Sequence, residues 1–125
     1  MITIDYKSRV PIYDQITGGI IRLKTLGILK AGDKLPSVRT MAIDLGINPN
    51  TVQRAYNILE ADGVIFSVAG KGSFISDDKK ATDAILSAAK NTFKQAVEQA
   101  RHAGLDEATL KKIIDNVIKG GNEDD

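Results

Sequence analysis

Apolar residues recur along this chain at helical spacing, in stretches that stop and restart at glycines and prolines. Ile12, Ile16, Ile20 and Leu23 form one stripe, which predicts a helix from about Pro11, whose fixed φ suits a first turn, to Leu26. The segment from Gly27 through KAGDKLP breaks it. Val38, Met41, Ala42 and Leu45 then mark a short helix, with Ser37 as its N-cap and Gly46 at its end. After a turn of Leu45, Gly46, Ile47 and Asn48, a third helix is predicted, with Asn48 capping it and Pro49 in its first position. Its buried side is Val52, Ala55, Tyr56 and Leu59, and it ends near Asp62 and Gly63. Two β-prone runs, VIFSV and SFI, flank AGKG and read as a hairpin with a glycine-rich tip.

Beyond Lys79 the pattern is helical again. Ile85, Leu86, Ala89, Phe93, Ala96, Val97 and Ala100 predict a long amphipathic helix closing at Gly104. Asp106 then caps a shorter helix with Leu110, Ile113, Ile114, Val117 and Ile118 on its apolar side. Two helices have too little to pack on by themselves. They must cover the preceding domain or pair with a second copy of the chain, since an apolar face of that size is not left in water.

This order predicts a mostly α fold with a small β-hairpin: a winged helix-turn-helix over residues 1–77, a two-helix dimerisation segment over 78–119 and a disordered tail over 120–125. The dimerisation face is expected at Leu86, Phe93, Val97, Leu110, Ile114 and Val117. A length of 125 residues accommodates one compact domain with a small appendage.

Composition excludes more than it assigns. Lys and Arg total 17 against 16 Asp and Glu, a net charge of +1, so any surface for nucleic acid must arise from local arrangement. There is no cysteine, which removes disulfides, thiolate metal sites and cysteine nucleophiles and fits a reducing compartment. His102 is the single histidine; it reads as a helix-end residue, and neither a multi-histidine metal site nor a catalytic constellation is present. AGKG does not match the GxxxxGK[ST] pattern of a phosphate loop. Without a membrane span or a leader pattern at MITIDYKSRVPIYDQ, the expected location is the cytoplasm. No cofactor is expected.

The polar side of the third helix carries the chemistry. Asn50, Arg54 and Asn57, flanked by Thr51 and Gln53, form an exposed face beside the capping Asn48. Asn and Gln offer an adjacent donor and acceptor that match adenine N6 and N7 in a major groove, and arginine can grip guanine or phosphate. The plainer account is a capped surface helix in a bundle, which leaves the following hairpin without a purpose. Arg39 sits at a helix start, where the dipole disfavours a cation unless an anion lies nearby; a phosphate or a surface pair with Asp44 would each explain it. Lys71 is either a wing contact to DNA or a solubilising turn residue.

The segments PIYDQITGGIIRL, LKAGDKLPSVRTMA, LGINPNTVQRAYNILEADGVI and GKGSFI together resemble the DNA-binding domain of GntR-family winged-helix regulators, from about Val10 to Ser76. The short helical C-terminal segment is similar to the YtrA-like branch of that family. The resemblance implies a homodimeric repressor of double-stranded DNA with a palindromic operator, often beside genes for a membrane transporter. Position by position it implies phosphate contact at Arg39, base and backbone contacts at Asn48, Asn50, Thr51 and Gln53, and a wing at Lys71 and Gly72. Many relatives carry arginine where this chain has Pro49, Gln53 and Ala69, so base preference does not transfer, and Arg54 supplies charge on the same helix. A winged-helix adaptor for another protein is the rival reading; it would call for an aromatic or aliphatic anchor on the polar face. A small-molecule effector is left unknown, because two short helices leave little room for a closed pocket within one subunit.

Overall fold

The computed structural model describes residues 2–120. The elements follow as α1 (Ile12–Thr25), α2 (Val38–Leu45), α3 (Pro49–Ala61), β1 (Ile65–Val68), β2 (Gly72–Ile75), α4 (Lys79–His102) and α5 (Glu107–Ile118). A first compact unit extends to Asp83 and a second begins at Ala84. The tail expected at 120–125 lies outside the described residues, apart from Gly120. No described helix is long and apolar enough to cross a membrane.

In the first unit α1 and α2 pack on α3, and α3 on β1. Ile16 and Ile20 from α1, Val52 and Leu59 from α3, and Val64 and Ile75 around the hairpin are completely inaccessible to water. The spacing of these residues places them on one side of each helix, so a single apolar cluster holds α3 from three directions. The hairpin pairs β1 and β2 antiparallel, with Ile65 opposite Ile75 and Val68 opposite Gly72. Its alternation sends Ile65 and Ile75 inward and leaves Phe66 and Phe74 stacked on the other face, ring centres 5.6 Å apart.

The segment read from sequence as a simple break also has a structural role. Gly32 N–H donates to the Ile75 carbonyl (2.8 Å), Ile75 N–H to that of Asp33 (2.8 Å) and Leu35 N–H to that of Ser73 (2.9 Å). Residues 32–35 therefore lie along β2 as a third strand-like edge, with Lys34 bridged to Phe74.

Helix ends follow local chemistry. The Ser37 hydroxyl accepts from Thr40 N–H (3.1 Å), and the Asp106 carboxylate accepts from Thr109 N–H (2.9 Å). That backbone hydrogen bond is the main reason the Asp106 carboxyl titrates below its ordinary range. The cap is thus complete above the ordinary carboxylate pKa and is lost as pH falls through the lowered one. Gly46 ends α2 at φ 68°, a left-handed conformation that costs glycine least, and Ile47 N–H reaches back to the Ala42 carbonyl at 3.0 Å.

Tyr56 ties α3 to the loop ahead of α2. Only 4% exposed, it donates its hydroxyl to the Pro36 carbonyl at 2.6 Å. Burial pushes its pKa up from 10.0 to about 12. A raised tyrosine pKa means that the folded state favours the neutral phenol. The associated stability is complete below pH 10 and disappears as pH rises through about 12. Tyr56→Phe is expected to cost about 1–3 kcal/mol at neutral pH, because the Pro36 carbonyl loses its donor. In urea titrations, the gap between wild type and variant should narrow between pH 10 and 12; a constant gap would disprove the linkage.

In the second unit no described residue is buried. Phe93, Ile113, Val117 and Ile118 are 54%, 47%, 67% and 77% exposed, although their spacing gathers them on apolar helix faces. Lys111 pairs with Glu107 at 2.6 Å and Lys119 with Asp115 at 3.0 Å, both exposed i,i+4 pairs that add only tenths of a kcal/mol.

Candidate nucleic-acid interface

The start of α3 is shaped by a proline and two asparagines. Pro49 stands in the first turn, where its missing N–H removes no intrahelical bond, and Asn48 Oδ1 accepts from Asn50 N–H at 2.8 Å. Capping occupies the oxygen of Asn48 and leaves its amide NH2 as a donor. Asn50, Gln53, Arg54 and Asn57 are exposed, and Thr51 is half-buried. Val52, Ala55, Tyr56 and Leu59 anchor the opposite side, so helical periodicity alone turns the amides outward.

Within that face three side chains are already engaged. Gln53 Nε2 donates to Asn57 Oδ1 at 2.9 Å, one helical turn away. This leaves the Gln53 carbonyl oxygen and the Asn57 amide as a linked acceptor and donor. Arg54 lies with its guanidinium carbon 3.8 Å from the ring centre of Tyr13, on α1. A cation over a tyrosine face is attracted by the ring quadrupole, and the stack holds Arg54 toward α1 while its N–H edges stay available for an anion. Tyr13 is a residue that sequence reasoning passed over. The only local signal is an aromatic in the first turn of α1, and its partner lies far along the chain.

Arg39, in the first turn of α2, is exposed, and among the described residues no carboxylate lies within ion-pair distance of it. The pair with Asp44 weighed from sequence does not form. Its cation therefore sits at the unfavourable end of the α2 dipole uncompensated.

The wing rises beside α3. Lys71 N–H donates to the Val68 carbonyl at 2.9 Å, closing the tip, and Lys71 and Gly72 are both exposed. The Ser67 hydroxyl donates to Glu60 Oε1 on α3 at 3.0 Å, which fixes the wing against the helix. Between them lies a groove of about 410 Å³ lined by Gln53, Tyr56, Glu60, Ser67 and Lys71, among others. Glu60 is the one carboxylate in that lining, and it is held by Ser67. Among the described residues no cluster of His, Cys, Asp or Glu is suited to a metal ion.

The six dimerisation candidates lie in the second unit. Phe93, Ile114 and Val117 are exposed, while Leu86, Val97 and Leu110 are partly covered.

Comparison with known proteins places the fold in a family. The family model described as "Bacterial regulatory proteins, gntR family" matches residues 12–75. The chain is 40% identical over 130 residues to the HTH-type transcriptional repressor YtrA of Bacillus subtilis, covering all of both chains. It is 34% identical to the HTH-type regulator YhcF of the same organism, over 93% of this chain and 97% of that one. Among solved structures, a transcriptional antiterminator from Listeria monocytogenes superposes with a TM-score of 0.75 at 35% identity, covering 100% of this chain and 97% of that one. YtrA from Sulfolobus acidocaldarius, a GntR-family transcription factor, does so at 0.63 and 37%, over 81% and 97%. With a helix-turn-helix, a wing and these relatives in agreement, the chain belongs to the gntR family of bacterial regulatory proteins and is a DNA-binding transcription regulator, not an enzyme.

Proposed function

We propose that this regulator acts in the cytoplasm as a homodimeric repressor that binds a palindromic operator. The observation that carries the DNA half of this reading is the polar, outward face of α3. Asn48, Asn50, Thr51 and Gln53 stand at its N-terminal end, and the uncompensated Arg39 stands on α2 of the same helix-turn-helix. Amides read base edges by paired hydrogen bonds, while arginine and lysine hold phosphates and supply most of the sequence-independent affinity. Arg39, Arg54 and Lys71 take the phosphate role and Gln53 the base role.

The homodimer is supported by the apolar faces of α4 and α5, on which Phe93, Ile114 and Val117 are exposed and Leu86, Val97 and Leu110 partly so. A second copy is the occupant proposed for these faces, because in a two-fold pair the same apolar surface on each subunit covers the other, and two linked subunits can read two half-sites in successive major grooves, about 34 Å apart. The resemblance to YtrA, named a repressor, points to repression. Transporter promoters are the first to test.

A gel shift on the chain's own upstream region, repeated over a range of salt, tests the reading. Arg39→Ala is expected to weaken binding to all sequences and to flatten the salt dependence by about one unit of log–log slope. Gln53→Ala is expected to relax preference at one base position, at about 1–3 kcal/mol. Equal loss on operator and random DNA for both variants would refute the division of roles. No salt-dependent shift at all would favour the adaptor reading.

A further inference from the structure

Lys34 belongs to the strand-like edge along β2, where its bridge to Phe74 and the flanking backbone hydrogen bonds of Asp33 and Leu35 fix its position. Its neighbour Leu35 turns into the core at 2% exposure, so Lys34 points to the outer face of the wing, the face of Phe74. That is the opposite face from Ser67 and Ser73, whose hydroxyls lie 3.4 Å apart and of which Ser67 reaches Glu60 on α3. The side chain of Lys34 then crosses Gly72, next to the tip. A Cβ on Gly72 would lie 3.0 Å from Lys34 Cε and 3.8 Å from Nζ. Its φ of 118° is what favours glycine there, and the absence of a Cβ lets the lysine stem lie close over the backbone. Among the described residues no carboxylate pairs with Lys34.

We propose that Lys34 is a second phosphate-binding cation of the wing, serving the strand on the far side of the minor groove. The inference rests on the DNA-binding reading above. A minor groove is about 6 Å wide, so an inserted hairpin tip has a phosphate backbone on each side. Lys71 and the groove against α3 take one strand. Lys34, carried on the outer face, meets the other. On this account Gly72 contributes to DNA binding chiefly by letting the lysine lie flat across the wing.

The test uses the full-length protein and two fluorescent duplexes, its own upstream region and a random sequence, with Lys34→Met and Lys34→Arg. Methionine keeps an apolar stem over Gly72 and removes the charge; arginine keeps the charge. Lys34→Met is expected to lower the log–log salt slope by about 0.9 on both duplexes, so that doubling the salt costs wild type about twofold more affinity than the variant. Lys34→Arg should retain the wild-type slope, and both melting temperatures should stay near wild type. Replacing the minor-groove phosphates by uncharged methylphosphonates should weaken wild type more than Lys34→Met, the coupling expected of a direct contact. An unchanged slope for Lys34→Met, beside a lowered slope for Arg39→Ala, would overturn the role of Lys34 alone. Salt-independent binding by the wild type would overturn the DNA-binding reading and this inference with it.

Discussion

Val117→Asp is expected to turn the proposed dimer into a monomer and to weaken operator binding by about 10²–10⁴-fold. Val117 is 67% exposed within its own chain, so an aspartate there stays hydrated in the monomer and costs the subunit little. In a two-fold interface the same substitution places a carboxylate, or two facing each other, in an apolar seam without a partner. Operator affinity falls because two linked half-site readers gain that factor from effective concentration, and a monomer loses it. Sedimentation would report the change in mass, and a titration of palindromic against half-site duplex the change in avidity. A variant that still sediments as a dimer at micromolar concentration would remove Val117 from the interface. One that is monomeric yet binds the palindrome as tightly as before would show that dimerisation is not what couples the half-sites.

A second large effect is expected inside the first unit. Leu59 is completely buried on α3, where that helix meets α1, α2 and β1. Leu59→Ala removes the contacts of its isopropyl end and leaves a cavity that close-packed neighbours can only partly fill, at about 2–5 kcal/mol. A domain of this size holds on the order of 5–10 kcal/mol in total. The melting temperature should therefore fall by more than about 10 °C, and operator binding should fail well below the wild-type limit because α3 is the element released. Ile43→Ala serves as the comparison: at 70% exposure it should change stability by less than about 0.5 kcal/mol. Equal melting of the two variants would mean that Leu59 does not hold α3.

Much of this was readable from residue order because it is set by neighbours in the chain. Ser37, Asn48 and Asp106 cap helices through oxygens two or three residues from the N–H groups they accept, and Gly46 ends α2 by its own backbone freedom. Periodicity likewise separates the buried side of α3 from the amide face, and Gln53 and Asn57 are one turn apart. What the pattern of KAGDKLP could not reveal was its pairing with β2. The segment is too short and too broken by glycine and proline to carry an alternation, and its backbone partners lie some forty residues away.

The same distinction divides the candidate interface. The amide-rich start of α3 follows from the sequence, since capping and helical periodicity act within a few residues. Where the cations go is settled by tertiary structure. Arg54 rests on Tyr13, Lys34 crosses Gly72, and Arg39 stays clear of Asp44. Each outcome depends on how separate elements approach one another, and long, rotatable cationic side chains respond to that packing more than to the residues beside them in the chain.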